Sequence, residues 1–93
     1  LQDALAKMTL LPAQVLEDFA PSMKNKGRIQ VGTDADITIF NPETIIDNAT
    51  FEEGLAFSTG VEYVLVSGKL VLKDGETIPD VFPGKPIYGQ FRR

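Results

Sequence analysis

The sequence contains no histidine and no cysteine. Without an imidazole, none of its serines or threonines can be activated by a histidine base, and histidine is absent as a metal ligand. Without a thiol there is no disulfide framework and nothing from which to read a redox compartment. Basic residues are few: nine Lys and Arg against thirteen Asp and Glu leave a net charge of −4. A nucleic-acid partner usually requires a basic face, so that class is set aside. Long apolar runs are missing too. Val64 to Val66 and Leu70 to Leu72 are far too short to span a bilayer. No signal-peptide pattern opens the chain. The expectation is a cytoplasmic protein with no membrane partner.

What is present fits one small domain. The 93 residues are 43% hydrophobic, ordinary for a globular protein. A chain this short buries only roughly 60–65% of its unfolded surface, so its stability should be marginal. The first residue is Leu1 and the first methionine is Met8, and the chain is expected to be cut from something longer.

Leu1, Leu5 and Met8 share one helical face, with Ala4 beside them and Asp3 in the first turn. Thr9 breaks the pattern. Pro12 suits the first position of a second helix, and Val15, Leu16 and Phe19 form its apolar stripe until Pro21 ends it. The helices are expected over residues 1–8 and 11–19. From Pro21 to Gly32 the chain turns polar and basic, with Ile29 and Val31 as candidates for a short strand. Ile37 to Phe40 reads as a strand, Asn41-Pro42-Glu43 as a turn, and Thr44 to Ile46 as a segment that extends or pairs with the strand. Asp47 to Thr59 has no period and reads as a long connection. Val61 to Val66, Lys69 to Lys73 and Glu76 to Ile78 form a β-meander, joined by two-residue turns at Ser67-Gly68 and Asp74-Gly75. Strict alternation would place Val61, Tyr63 and Leu65 on one face and Val64 and Val66 on the other, with Leu70 and Leu72 together. Pro79, Pro83, Gly84 and Pro86 mark an irregular tail ending in Phe91-Arg92-Arg93. The fold class is therefore α+β: N-terminal helices followed by a small, mostly antiparallel sheet.

Asp34 and Asp36 flank Ala35, and a carboxylate pair can serve acid–base chemistry or hold a hard cation. The plainer alternative, which we favour, is that they bond local backbone where a turn enters a strand; no basic partner is evident in the sequence. Gly60 to Lys69 has glycines before a lysine, but not the G-x-x-x-x-G-K-[ST] spacing, and it lies in a hairpin, so a phosphate loop is rejected. Ser58, Thr59 and Ser67 have no histidine base, and Ser67 sits in a turn. Asn48-Ala49-Thr50 matches the N-glycosylation tripeptide, which arises often by chance. The eight aromatics are scattered, so packing is their default role.

The runs GRIQVGTDADITIFNPETIIDNATFEEG, STGVEYVLVSGKLVLKDGE and PGKPIYG together resemble the C-terminal end of the amidohydrolase superfamily. Leu1 to Phe19, with TLLPAQVL, resembles the last barrel-side helices of that family, where a Thr-x-x-Pro-Ala pattern recurs. ATFEEG and the final PG-x-x-I-x-G tilt the likeness toward N-acyl-D-amino-acid deacylases (D-aminoacylases), with dihydroorotases and hydantoinases as relatives. The resemblance implies that residues 1–20 would flank a barrel and residues 21–93 would form part of a composite β-sandwich. It implies a parent that hydrolyses a C–N amide bond with zinc or another divalent metal activating a water. The family's ligands, histidines and an aspartate with a cysteine, glutamate or carboxylated lysine, lie on barrel strands. No position here matches those motifs, so no catalytic, cofactor-binding or metal-ligating residue is assigned to this chain. Expected partners are the barrel and the N-terminal β-strands of the parent. Self-association is also expected, with Leu1, Leu5, Val15 and Phe19 among the buried contacts; the alternative is a compact monomer. A self-standing β-rich interaction module is the competing reading of function.

Overall fold

The computed structural model describes residues 1–90, so the expected Phe91-Arg92-Arg93 end lies outside the described residues. The chain divides into two compact units, one formed by Leu1–Asp36 with the described residues from Gly84 onward, the other by Ile37–Pro83. The α+β expectation holds: two short helices precede a four-stranded antiparallel sheet.

In the first unit, α1 spans Gln2–Met8 and α2 spans Leu10–Leu16. Each is seven residues long, too short to be stable without tertiary contacts. Asp3 in the first turn of α1 and Lys7 in its last complement the helix dipole. Thr9 interrupts the helices as expected. Its φ of −128° and ψ of −78° leave the helical region, and its hydroxyl donates to the Leu5 carbonyl at 2.6 Å. Pro12 is the third residue of α2 rather than the first, still within the turn whose N–H groups lack intrahelical partners. The helix stops at Leu16 instead of reaching residue 19. There the Phe19 and Ala20 N–H groups both reach the Leu16 carbonyl, which tightens the last turn and closes it. Pro21 then opens a 3₁₀ turn, Pro21–Asn25. The strand expected at Ile29 and Val31 does not form. Both side chains are exposed, and the local bonds instead close a loop from Gln30 to Thr33.

In the second unit, β1 (Ile37–Phe40), β2 (Val61–Val66), β3 (Lys69–Lys73) and β4 (Glu76–Thr77) lie in sequence order. The two meander turns are both of type I′. Ser67 and Gly68 have φ of 51° and 78°, and Asp74 and Gly75 have 51° and 79°. Positive φ at both central positions matches the right-handed twist of the flanking strands. These turns pair Val66 with Lys69 and Lys73 with Glu76. Thr44–Ile46 does not extend β1; Ile46 makes a lone bridge to Thr59.

Two bulges correct the expected faces. Between β1 and β2 the partner of Ile39 is Tyr63, but that of Phe40 is Val61, which leaves Glu62 as the extra residue. Between β2 and β3 the partner of Val64 is Leu72 and that of Leu65 is Leu70, with Val71 extra. Each bulge reverses the alternation beyond it. Val61 therefore joins Val64 rather than Tyr63, and Leu70 and Leu72 separate onto opposite faces. One face carries Thr38, Val61, Val64, Leu72 and Thr77; the other carries Ile37, Ile39, Tyr63, Leu65 and Leu70.

Among the described residues only Ala13 is buried, at 2% exposure. The chain exposes 7783 Å², whereas a folded monomer of 10.2 kDa is expected to expose about 5,300 Å². That is an excess of about 2,500 Å², and exposed apolar side chains such as Val15, Phe19, Ile29, Val31, Phe51 and Phe82 contribute to it.

Candidate functional site

The acidic pair has a basic partner after all. Lys26 Nζ donates to Asp36 Oδ2 at 2.5 Å and lies 2.9 Å from Asp34 Oδ2. The chain returns to itself here because the 3₁₀ turn ends at Asn25, whose carbonyl accepts the Asp34 N–H at 3.0 Å. Gly27, at φ 70°, makes the close approach possible: a Cβ there would collide with the Thr9 carbonyl and press on Ala13. The Lys26 ammonium is raised above its ordinary pKa, first by its hydrogen bond to Asp36 and then by that to Asp34. Arg28 extends the cluster, with Nη2 3.3 Å from Glu17 Oε2 and Nε donating to the Lys26 carbonyl at 2.9 Å. The two carboxylates thus hold a loop to an ammonium. An acid–base pair would need an open face toward a substrate, and these oxygens point at Lys26.

The other concave feature lies on the sheet. Thr38, Val61, Val64, Leu72, Gly75 and Thr77, together with Phe57 and Ser58 of the preceding connection, line an open cavity of about 380 Å³. Sequence reasoning missed this groove because alternation alone puts Val61 on the wrong face. It missed Lys26 because eight and ten residues separate the lysine from its acids, with no periodic pattern linking them. The nearby Gly27 and Gly32 were the available signal for a loop that doubles back.

The remaining candidates behave as local structure. Ser67, Gly68 and Lys69 lie in or beside a hairpin turn, not before a helix. Asn48 Nδ2 donates to the Phe57 carbonyl at 2.9 Å, and the Thr50 hydroxyl accepts the Glu53 N–H at 2.9 Å. The tripeptide is thereby a strut across its loop.

No family model matches the chain. Individual proteins do. It is 38% identical over 85 residues to N-acyl-D-glutamate deacylase of Alcaligenes xylosoxydans xylosoxydans, covering 91% of this chain and 16% of that protein. It is 32% identical over 92 residues to D-hydantoinase of Rhizobium radiobacter, covering 88% of this chain and 18% of that one. The chain also superposes on a crystal structure of D-aminoacylase, described as defining a novel subset of amidohydrolases. That match has a TM-score of 0.62 and 31% identity, and covers 69% of this chain and 13% of the other. The chain is a homologue of the D-aminoacylase-type amidohydrolases. It spans less than a fifth of the length of the curated amidohydrolases it matches.

The metal implied for a complete amidohydrolase does not fit the donors of this segment. With histidine and cysteine absent, only carboxylates remain. No three of them converge among the described residues, and the one close pair is occupied by Lys26. Among the described residues no helix is long and apolar enough to cross a membrane.

Proposed function

We propose that this chain is a non-catalytic part of a metal-dependent amidohydrolase, completing a composite β-sandwich beside the barrel that carries the chemistry. The whole enzyme would cleave a C–N amide bond, with an N-acyl-D-amino acid as the substrate class. One observation carries the reading: likeness runs along 91% of this chain but only 16% of N-acyl-D-glutamate deacylase, in a segment without a single histidine or cysteine. Helices α1 and α2 would flank the barrel, and N-terminal strands of the same polypeptide would complete the sheet. The 32% identity to D-hydantoinase supports a second reading in which the whole enzyme opens a cyclic amide, as a hydantoinase or dihydroorotase.

The test is an exchange. These residues replace the matching segment of the Alcaligenes N-acyl-D-glutamate deacylase. The chimera is expected to fold and to keep the host's activity and substrate preference. A folded chimera whose preference changes would overturn the non-catalytic assignment. The purified 93-residue chain should also show no chelator-sensitive turnover of N-acetyl-D-amino acids or dihydroorotate, with or without zinc.

A further inference from the structure

The helical unit is assembled from two parts of the chain that lie far apart in sequence. Leu1–Asp36 supplies α1, α2 and the 3₁₀ turn, and the described residues from Gly84 onward return to it after the whole sheet unit has been traversed. Among the described residues the returning segment has no helix or strand of its own. Pro83 and Pro86 bracket its start, and each fixes φ and lacks an N–H donor. The segment runs to one point. The Gln90 N–H donates to the Phe19 carbonyl at 3.0 Å, and a Cβ at Gly89 would lie 3.4 Å from the same oxygen. That oxygen sits at a weak junction. α2 has ended at Leu16, whose carbonyl takes the N–H groups of both Phe19 and Ala20, and Pro21 then opens the 3₁₀ turn, in which the Met23 N–H reaches the Ala20 carbonyl. Seven-residue helices do not hold themselves, and Ala13 is the one buried side chain among the described residues. The Arg28–Glu17 ion pair pins the residue just after α2, and the Gln90 bond pins Phe19, two residues on.

We propose that residues 84–90 are a strap that latches the junction between α2 and the 3₁₀ turn, and that its release opens the helical unit while the sheet unit stays folded. The sheet unit needs no strap, because its turns and ladders join neighbours in sequence. Cooperative units of this kind open with separate free energies, and the one with the fewest buried contacts opens first. The strap is closed in the structure by a backbone bond, so its hold depends on the main chain at Gln90 and not on the glutamine side chain. The proposal concerns these 93 residues and does not rest on the activity of any longer enzyme.

Native-state hydrogen exchange of the full chain, read amide by amide, tests it. In the wild type the Phe19, Ala20 and Met23 amides, all hydrogen-bonded at the junction, should be protected. Gln90→Pro removes the donor. Those three amides should then exchange about five- to tenfold faster, the ratio expected for loss of one backbone hydrogen bond. The Thr59, Gly75 and Ile78 amides, bonded within the sheet unit, should keep their rates. Gln90→Ala retains the N–H and should leave all six amides unchanged. Unprotected Phe19 and Ala20 amides in the wild type, or unchanged rates in Gln90→Pro, would overturn the strap. Equal acceleration in both units would also overturn it, since the chain would then open as one cooperative body. So would a Gln90→Ala variant that matches the proline variant, which would move the contact from the main chain to the side chain.

Discussion

The two units are built by different means. The sheet unit is organised by contacts between neighbours in sequence: two type I′ turns, hairpin ladders and alternating side chains. The helical unit is organised by contacts across long separations. Gly27 approaches Thr9 and Ala13, Lys26 holds Asp34 and Asp36, Arg28 reaches Glu17, and the Gln90 N–H reaches the Phe19 carbonyl. Neither unit has a conventional core. The difference shows that, where burial is slight, a fold can be held either by turn stereochemistry or by a few charged clasps.

The largest expected effect tests the sheet unit at its one tight approach. Gly60 has φ of 90°, and a Cβ there would lie within 3 Å of the Thr44 and Ile45 backbone. Gly60→Ala should cost about 3 kcal/mol, read as a loss of hydrogen-exchange protection in β1 and β2. An unchanged protection pattern would mean the bridge at Ile46–Thr59 is dispensable. Next is the turn. Gly68→Ala places a Cβ at φ 78° and should cost about 1–2 kcal/mol, lowering the midpoint of denaturant unfolding.

The clasp of the helical unit should yield less. Lys26→Met is expected to cost about 1 kcal/mol, since both of its carboxylate partners, Asp34 and Asp36, are partly solvated. Its pH signature is more telling. The folded-state pKa of Lys26 is raised above its ordinary 10.5, so its contribution is complete below about pH 10.5 and fades as pH climbs through the raised value. Wild type should lose stability in that alkaline range by a margin that Lys26→Met lacks; identical pH profiles would remove the clasp from the account. The smallest effect is expected at Tyr63. Its hydroxyl donates to Asp74 Oδ1 at 2.7 Å, a bond that raises its pKa above the ordinary 10.0. Tyr63→Phe should move the amide resonances of the Asp74-Gly75 turn and little else; a broad change across the sheet would mean that this contact pins more than a turn.

The same contrast explains what was legible in the sequence. Ser67-Gly68 and Asp74-Gly75 announce their turns because positive φ calls for such residues at those positions, and the hairpin register follows from loop length. The bulges at Glu62 and Val71 carry no such mark. Neither is glycine, and pairing with β1 and β3 decides where the extra residue goes. The face of Val61, and hence the groove, was therefore out of reach. In the helical unit the Thr9 break was visible, as were both helices. The end of α2 was not, because Phe19 continues the apolar stripe although the backbone has already tightened at Leu16. The candidate carboxylates were visible as a pair, but their meaning rested on Lys26, whose approach depends on a 3₁₀ turn that local pattern did not distinguish from loop.

The thin interior also has a calorimetric consequence. Unfolding gains heat capacity mainly from apolar surface that becomes wet, and ordinary domains gain about 12–15 cal/mol/K per residue. By the surface scaling above, this chain hides only about three quarters of what a typical chain of its mass hides. Its heat-capacity step should be reduced in proportion, to roughly 10 cal/mol/K per residue. The stability curve would then be flatter than that of a well-packed domain, and the melting transition would spread over a wide temperature interval. Binding any partner that covers the sheet or the helices should sharpen that transition.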